Sequence, residues 1–262
     1  MNPPTPRPGF ASLALAGAVT GLMSGLFGIG GGVLLVPALV MLLGFPQRLA
    51  AGTSVAAILP AGIVGGIAYG LQGNVDWISA LALAVGMVAG AQLGSWLLSR
   101  VSTRFLKGLF MVFLAAVVVS LWFAVPQRDA EIDLDVLTFV LLVVTGLATG
   151  TLSGLVGVGG GVIVVPVLMF FYGASDLVAK GTSLIMLIPG SVSGTLGNWK
   201  RKNVDLRAAL IIGIAASVVS PLGTLCAGLI TPLWSNIAFS ALLLIILVQM
   251  VVTSIRQGRR RD

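Results

Sequence analysis

The sequence contains no histidine and one cysteine, Cys226. A disulfide framework and a His- or Cys-based metal site are thereby excluded, so no metal and no cofactor are expected. Cys226 sits in an apolar segment and reads as a small packing residue. Charge is scarce as well. Asp, Glu, Lys and Arg make up 9% of the 262 residues, against roughly 25% in a soluble domain. So few charged groups cannot cover a water-facing surface. None lies in the middle of an apolar segment, so a buried carboxylate relay has no seat there. A membrane-embedded enzyme would also lack His, a Cys pair and any charged constellation within the helices. An enzyme is not expected.

Apolar side chains are abundant: 57% of residues are hydrophobic, and mean hydropathy is +1.09. Several runs exceed the ~18–20 residues needed to cross a bilayer core. They are continuous, unlike the ~10-residue alternating strands of a β-barrel. The expected class is an all-α polytopic membrane protein with the lipid bilayer as its surroundings. The net charge of +7 does not call for nucleic acid. The basic residues occupy short loops and the C-terminal tail, where they set orientation. The Pro-rich start followed by an apolar run has the outline of a signal peptide. That run continues into a repeated element, so cleavage is not expected and residues 1–9 read as a short arm.

The repeated element is the strongest feature. Residues 20–39, TGLMSGLFGIGGGVLLVPAL, recur as residues 149–168, TGTLSGLVGVGGGVIVVPVL, with 13 of 20 positions identical at an offset of 129. The offset holds beyond the glycines. Gly52-Thr53-Ser54 matches Gly181-Thr182-Ser183, Pro60 matches Pro189, and Asn74-Val75-Asp76 matches Asn203-Val204-Asp205. The chain therefore divides into a first repeat (10–125), a polar linker (126–135), a second repeat (136–254) and a basic tail (255–262), all within one transmembrane domain.

The first apolar run, residues 10–43, is either one crossing or two pieces folded back at the glycines. In the folded-back arrangement, thirteen of the fifteen basic residues fall on one side, with Arg128 and Lys180 opposite. A single crossing divides them ten to five. The positive-inside rule favours folding back. The expected fold thus has two homologous halves in inverted orientation and about eight full-length-equivalent helices. The first helix of each half is broken at GxGGG, which gives ten segments. Both termini are expected on the cytoplasmic side of the plasma (inner) membrane. Whether the pieces around each glycine cluster cross fully or re-enter stays open.

Gly in an apolar helix gives up backbone entropy and packs little surface. Two matching clusters, Gly28, Gly30, Gly31 and Gly32 with Gly157, Gly159, Gly160 and Gly161, therefore point to a use for bare backbone. A helix restarting after such a break presents free N–H groups and a partial positive charge to an anion, which is the recurring site of inverted-repeat transporters. The alternative is close helix packing, preferred for scattered glycines such as Gly86 and Gly90. Ser24, Ser153, Thr53, Ser54, Thr182 and Ser183 can add hydroxyls to an anion site, or satisfy themselves on a carbonyl one turn back. Asn198 and Gln92 can line the path or bond between helices. Lys180, where the first half has Ala51, either draws an anion to the cavity mouth or snorkels to the interface, and snorkelling is favoured. Valine at Gly31 or Gly160 is expected to abolish transport without unfolding the protein.

The repeated S-G-L-x-G-[IV]-G-G-G-[VI], a following Pro (Pro37, Pro166) and G-T-S some 20 residues later resemble the TauE/SafE sulfite exporter family, also called the 4-toluene sulfonate uptake permease family. The resemblance spans nearly the whole chain. It implies a secondary transporter whose partner is a small anionic substrate, such as sulfite, an organosulfonate like sulfoacetate, or a related organic anion. The rival is a channel-like passive anion pore. The particular anion, the direction, the coupling ion and any homo-oligomer stay open.

Overall fold

The computed structural model describes residues 8–123 and 135–258. Their regular structure is helical: α1 (Phe10–Phe27), α2 (Gly32–Pro37), α3 (Gln47–Leu71), α4 (Trp77–Arg100), α5 (Thr103–Phe123), α6 (Val136–Val156), α7 (Gly161–Phe171), α8 (Asp176–Lys200), α9 (Leu206–Leu229) and α10 (Pro232–Gly258). Residues 1–7 of the arm, most of the polar linker and the last four residues of the basic tail lie outside the described residues. The start of the expected tail, residues 255–258, belongs to α10 instead.

Among the described residues, seven helices are long and apolar enough to cross a membrane, α1 and α6 among them. The piece before each glycine cluster is therefore long enough to cross. The short pieces are those after it. α2 with its π-helical continuation (Gly32–Leu42) and α7 have eleven residues each, or about 16 Å of helix, half of a ~30 Å bilayer core. Pro37 sits inside α2, and the turn after it widens into a π-helix over Ala38–Leu42. A missing N–H at proline disfavours regular α pairing there.

Aspartates define the starts of α4, α6 and α9. The Asp76 carboxylate accepts from the Ile78 and Ser79 amides at 3.0 and 3.1 Å and opens α4. Asp205 opens α9 through the Ala208 amide at 3.0 Å, and Asp135 opens α6 through the Thr138 amide. Each satisfies a donor that the helix itself cannot. Outward faces stay apolar. On α9, Leu210, Ile214, Val218, Leu222 and Leu225 form an exposed stripe, as lipid-facing helices do. Cys226 is exposed on this helix and is not a packing residue.

The helices approach through glycine. On α1, Gly17, Gly21 and Gly25 lie against the backbone of Ile212, Ala216 and Ser220 on α9. On α6, Gly146, Gly150 and Gly154 lie in the same way against Leu83, Met87 and Ala91 on α4. Each contact of the first set recurs 129 residues away with the halves exchanged. Gly86 and Gly90 pack against the Val143 and Leu147 carbonyls, so their use is close packing. Helices α3 and α8, which match in sequence, run antiparallel at the centre: Gly52 adjoins Asn198, Gly62 adjoins Leu184, and Gly66 adjoins Ile185.

Candidate functional site

The glycine clusters are sharp turns. Gly28 ends α1 with φ 70°, returning its N–H to the Ser24 carbonyl at 2.8 Å. Gly30 and Gly31 follow at φ 71° and 74°. Gly157 ends α6 in the same way at φ 81°, its N–H on the Ser153 carbonyl at 2.7 Å, and Gly159 follows at φ 72°. These left-handed conformations suit glycine because they cost a residue with a Cβ. The halves then diverge, since Gly160 is right-handed at φ −66°.

The two turns meet face to face. A Cβ at Gly161 would stand 2.5 Å from the Gly28 carbonyl oxygen and 2.7 Å from the Ile29 Cα. A Cβ at Gly32 would collide with the Val158 carbonyl. Gly28 also abuts the Lys180 backbone on α8, and Gly157 abuts Ala51 on α3. Over the crossing lie Ile58 and Leu187, both 1% exposed, whose terminal methyls face Gly30 and Gly159. These side chains also match at the offset of 129, a signal the sequence carried and the motif reading missed. Around the crossing the first N–H groups of α2 and α7 have no intrahelical partner.

The predicted hydroxyls separate into two groups. Ser183 donates at the first turn, close against the Gly28 carbonyl, with the Lys180 carbonyl at 2.8 Å. Its counterpart Ser54 and the α1 residue Ser24 are fully buried with no hydrogen-bond partner among the described residues. Thr149, absent from the predicted set, is likewise unpartnered and its methyl lies where a Cβ at Gly160 would point. Ser153 lies on a small, mostly apolar cleft with Leu152, Val156, Val158, Gly159 and Ile163.

Thr53 and Thr182 belong elsewhere. The Thr53 hydroxyl accepts the Asp205 amide at 2.9 Å, and the Thr182 hydroxyl accepts the Asp76 amide at 3.0 Å. The neighbouring Gly52 and Gly181 press on the Asn203 and Asn74 carbonyls. Each G-T-S therefore clamps the N-V-D turn of the other half. The clamps sit toward opposite ends of the antiparallel α3–α8 pair. Thr53 is 16 residues before Tyr69, which adjoins Gly181, a separation of about 24 Å along α3. Asn198 lies beside Gly52, and its amide donates back to the Gly194 carbonyl at 3.0 Å. Gln92 bonds between helices, to the Ser193 carbonyl at 2.6 Å.

Lys180 does not snorkel. It is 3% exposed, and its ammonium bonds Asp176 at 3.3 Å and Ser235 on α10 at 2.9 Å. The i, i+4 spacing of Asp176 and Lys180 was the available signal for this pair. Tyr69 is another buried polar residue that sequence reasoning passed over, its hydroxyl donating to the Gly25 carbonyl at 2.8 Å.

Long apolar helices around two facing breaks define a multi-pass membrane protein. A family model for the sulfite exporter TauE/SafE matches residues 2–121 and 142–262, and the chain belongs to that family. Its relatives carry membrane-transporter names. A probable membrane transporter protein of Xylella fastidiosa is 30% identical over 81% of this chain and 82% of its own. One of Methanocaldococcus jannaschii is 28% identical over 88% of this chain and 91% of its own. The probable membrane transporter protein YunE of Bacillus subtilis is 26% identical over 78% and 83%. No solved structure matches the chain. The protein is a membrane transporter.

Proposed function

We propose that this protein is a secondary transporter of small sulfur-containing anions, such as sulfite or sulfoacetate, working by alternating access of two inverted halves. The observation that carries the proposal is the meeting of the two glycine turns, with the helix starts of α2 and α7 beside it and the buried, unpartnered hydroxyls of Ser24, Ser54 and Thr149 within a turn or so. Buried hydroxyls without partners are uncommon, and free N–H groups at a helix start suit an oxyanion. The family description supplies the sulfur oxyanion. In this reading Ile58 and Leu187 close the site, and backbone amides with the three hydroxyls hold the anion.

Purified protein is expected to gain thermal stability from sulfite, thiosulfate, taurine or sulfoacetate, because a ligand that binds only the folded state raises its apparent stability. In proteoliposomes, preloaded substrate is expected to accelerate uptake of labelled substrate. No stabilisation by any of these anions overturns the substrate class. Uptake without counterflow acceleration indicates a passive pore instead.

We also propose that both termini are cytoplasmic in the plasma (inner) membrane. The lopsided distribution of Lys and Arg supports this orientation. Single cysteines at Pro46 and Ser102 are then expected to be shielded from an impermeant label in intact cells, and one at Ala130, outside the described residues, to react. Labelling of positions 46 and 130 from the same side would remove the folded-back arrangement.

A further inference from the structure

The Lys180–Asp176–Ser235 cluster is not used in the site described above. Lys180 is the one fully buried cation among the residues whose side chains are described. Its backbone stands directly against Gly28, and Ser183, one turn on, touches the Gly28 carbonyl. The cluster therefore adjoins the first glycine turn. Phe239, one turn beyond Ser235 on α10, stacks on Phe27 with ring centroids 4.9 Å apart and encloses the same region.

The second half builds this cluster where the first does without it. At the offset of 129, Asp176, Lys180 and Ser235 correspond to Gln47, Ala51 and Leu106. Ala51 packs on Gly157 as Lys180 packs on Gly28. The same junction thus forms with no charge at all, so the ion pair is not a requirement of the fold. Burying two charges is costly even when they are paired, and ionisable residues within membrane segments mark function far more often than stability.

We propose that Lys180 is the charge partner of the transported anion, and that Asp176 holds the ammonium until the anion takes its place. This rests on the anion-transport reading above. The Nζ–Oδ2 separation is 3.3 Å, longer than the roughly 2.7–2.9 Å of a close charge-assisted bond, so the carboxylate is a replaceable partner. Asp176 is the first residue of α8, where the helix dipole stabilises a negative charge that has left its lysine. An oxyanion arriving at the Gly28 turn finds the Lys180 ammonium and the Ser235 hydroxyl already oriented. Exchange of one anion for another keeps the local charge balanced, which lets a small anion enter an apolar bundle.

The test uses the full chain as wild type, Asp176→Asn, Lys180→Arg and the double variant Lys180→Met/Asp176→Asn. Melting is followed with and without sulfite and sulfoacetate. Lys180→Arg is expected to keep anion binding. The double variant is expected to melt close to wild type without anion, yet to need about thirtyfold more anion for the same stabilisation, the lower end of the loss on removing one partner of a buried charged contact. Asp176→Asn is expected to bind the anions more tightly than wild type, since the internal competitor is gone. Stabilisation of the double variant at wild-type anion concentrations overturns the proposal and leaves the transport reading intact. If the double variant does not fold, Asp176→Asn decides: affinity equal to or weaker than wild type overturns the proposal. A wild type stabilised by neither of these anions, nor by thiosulfate or taurine, overturns both readings together.

Discussion

Alanine at Gly32 or Gly161 is expected to leave little folded protein. The new Cβ at Gly161 would stand 2.5 Å from the Gly28 carbonyl oxygen, and that at Gly32 would stand 2.5 Å from the Val158 carbonyl carbon. Both obstacles are backbone, and neither turn can retreat. Gly28 is tied to Ser24 by its N–H and is touched by Ser183 through its carbonyl, while Gly157, next to Val158, is tied to Ser153 and pressed on Ala51. Overpacking a well-packed interior costs about 1–3 kcal/mol where side chains can shift. Here the cost is expected at or beyond the top of that range. The same reasoning revises the expectation for Gly31. With φ at 74° and the Thr20 carbonyl 2.6 Å from a new Cβ, valine there would disrupt folding and so could not isolate a transport defect. Gly160 is right-handed, and the atoms nearest a new Cβ there are side-chain methyls of Thr149, Met186 and Met87, not backbone, so Gly160→Ala, which displaces the Thr149 methyl, is the variant suited to probing the site. Gly108 on α5 has nothing within 4 Å of a new Cβ, and alanine there is expected to be neutral or to stabilise by roughly 0.4–1 kcal/mol. Melting temperature and monodisperse yield in detergent check the series. Near-wild-type melting of Gly32→Ala would show that the two turns are not in close contact.

Much of the fold was legible because membrane crossing and glycine turns are local. The limits Phe10 and Phe27 of α1 follow from the apolar run and from Gly28. The closeness of the two glycine clusters was legible only as an inference from the inverted orientation expected of the halves. Whether Gly32 would meet Val158 depends on helix packing that no single-chain pattern encodes. The glycine requirement itself had two physical sources, turn geometry and close approach, and both operate here. Lys180 was misread because its position near a segment end suggested water within reach. The Ser235 hydroxyl that completes its burial comes from 55 residues away. Thr53 and Thr182 recur as a pair in the sequence, but their partners lie 152 and 106 residues distant. Long-range partners of a buried hydroxyl are decided by tertiary packing, and the sequence offered only the local alternative of a carbonyl one turn back.

Those two threonines carry the second large expected effect. Valine at Thr53 or Thr182 keeps the side-chain shape and removes the oxygen that accepts the Asp205 or Asp76 amide. A part-buried N–H left without an acceptor costs about 1–3 kcal/mol. With the clamps about 24 Å apart along α3, the double variant is expected to lose close to the sum of the two. The effects on conformation should be opposite. Each clamp joins one half to the other at one end of the α3–α8 pair, so removing one loosens that end alone. Under alternating access, Thr53→Val favours opening beside Asn203, and Thr182→Val favours opening beside Asn74. In a Cys226→Ser background, a cysteine at Asn203 is then expected to gain reactivity in Thr53→Val and lose it in Thr182→Val. A cysteine at Asn74 is expected to show the reverse. If both variants raise reactivity at both positions, the clamps merely hold the bundle together. If each shifts one end against the other, the reciprocal G-T-S and N-V-D contacts are the two gates between which the substrate is passed.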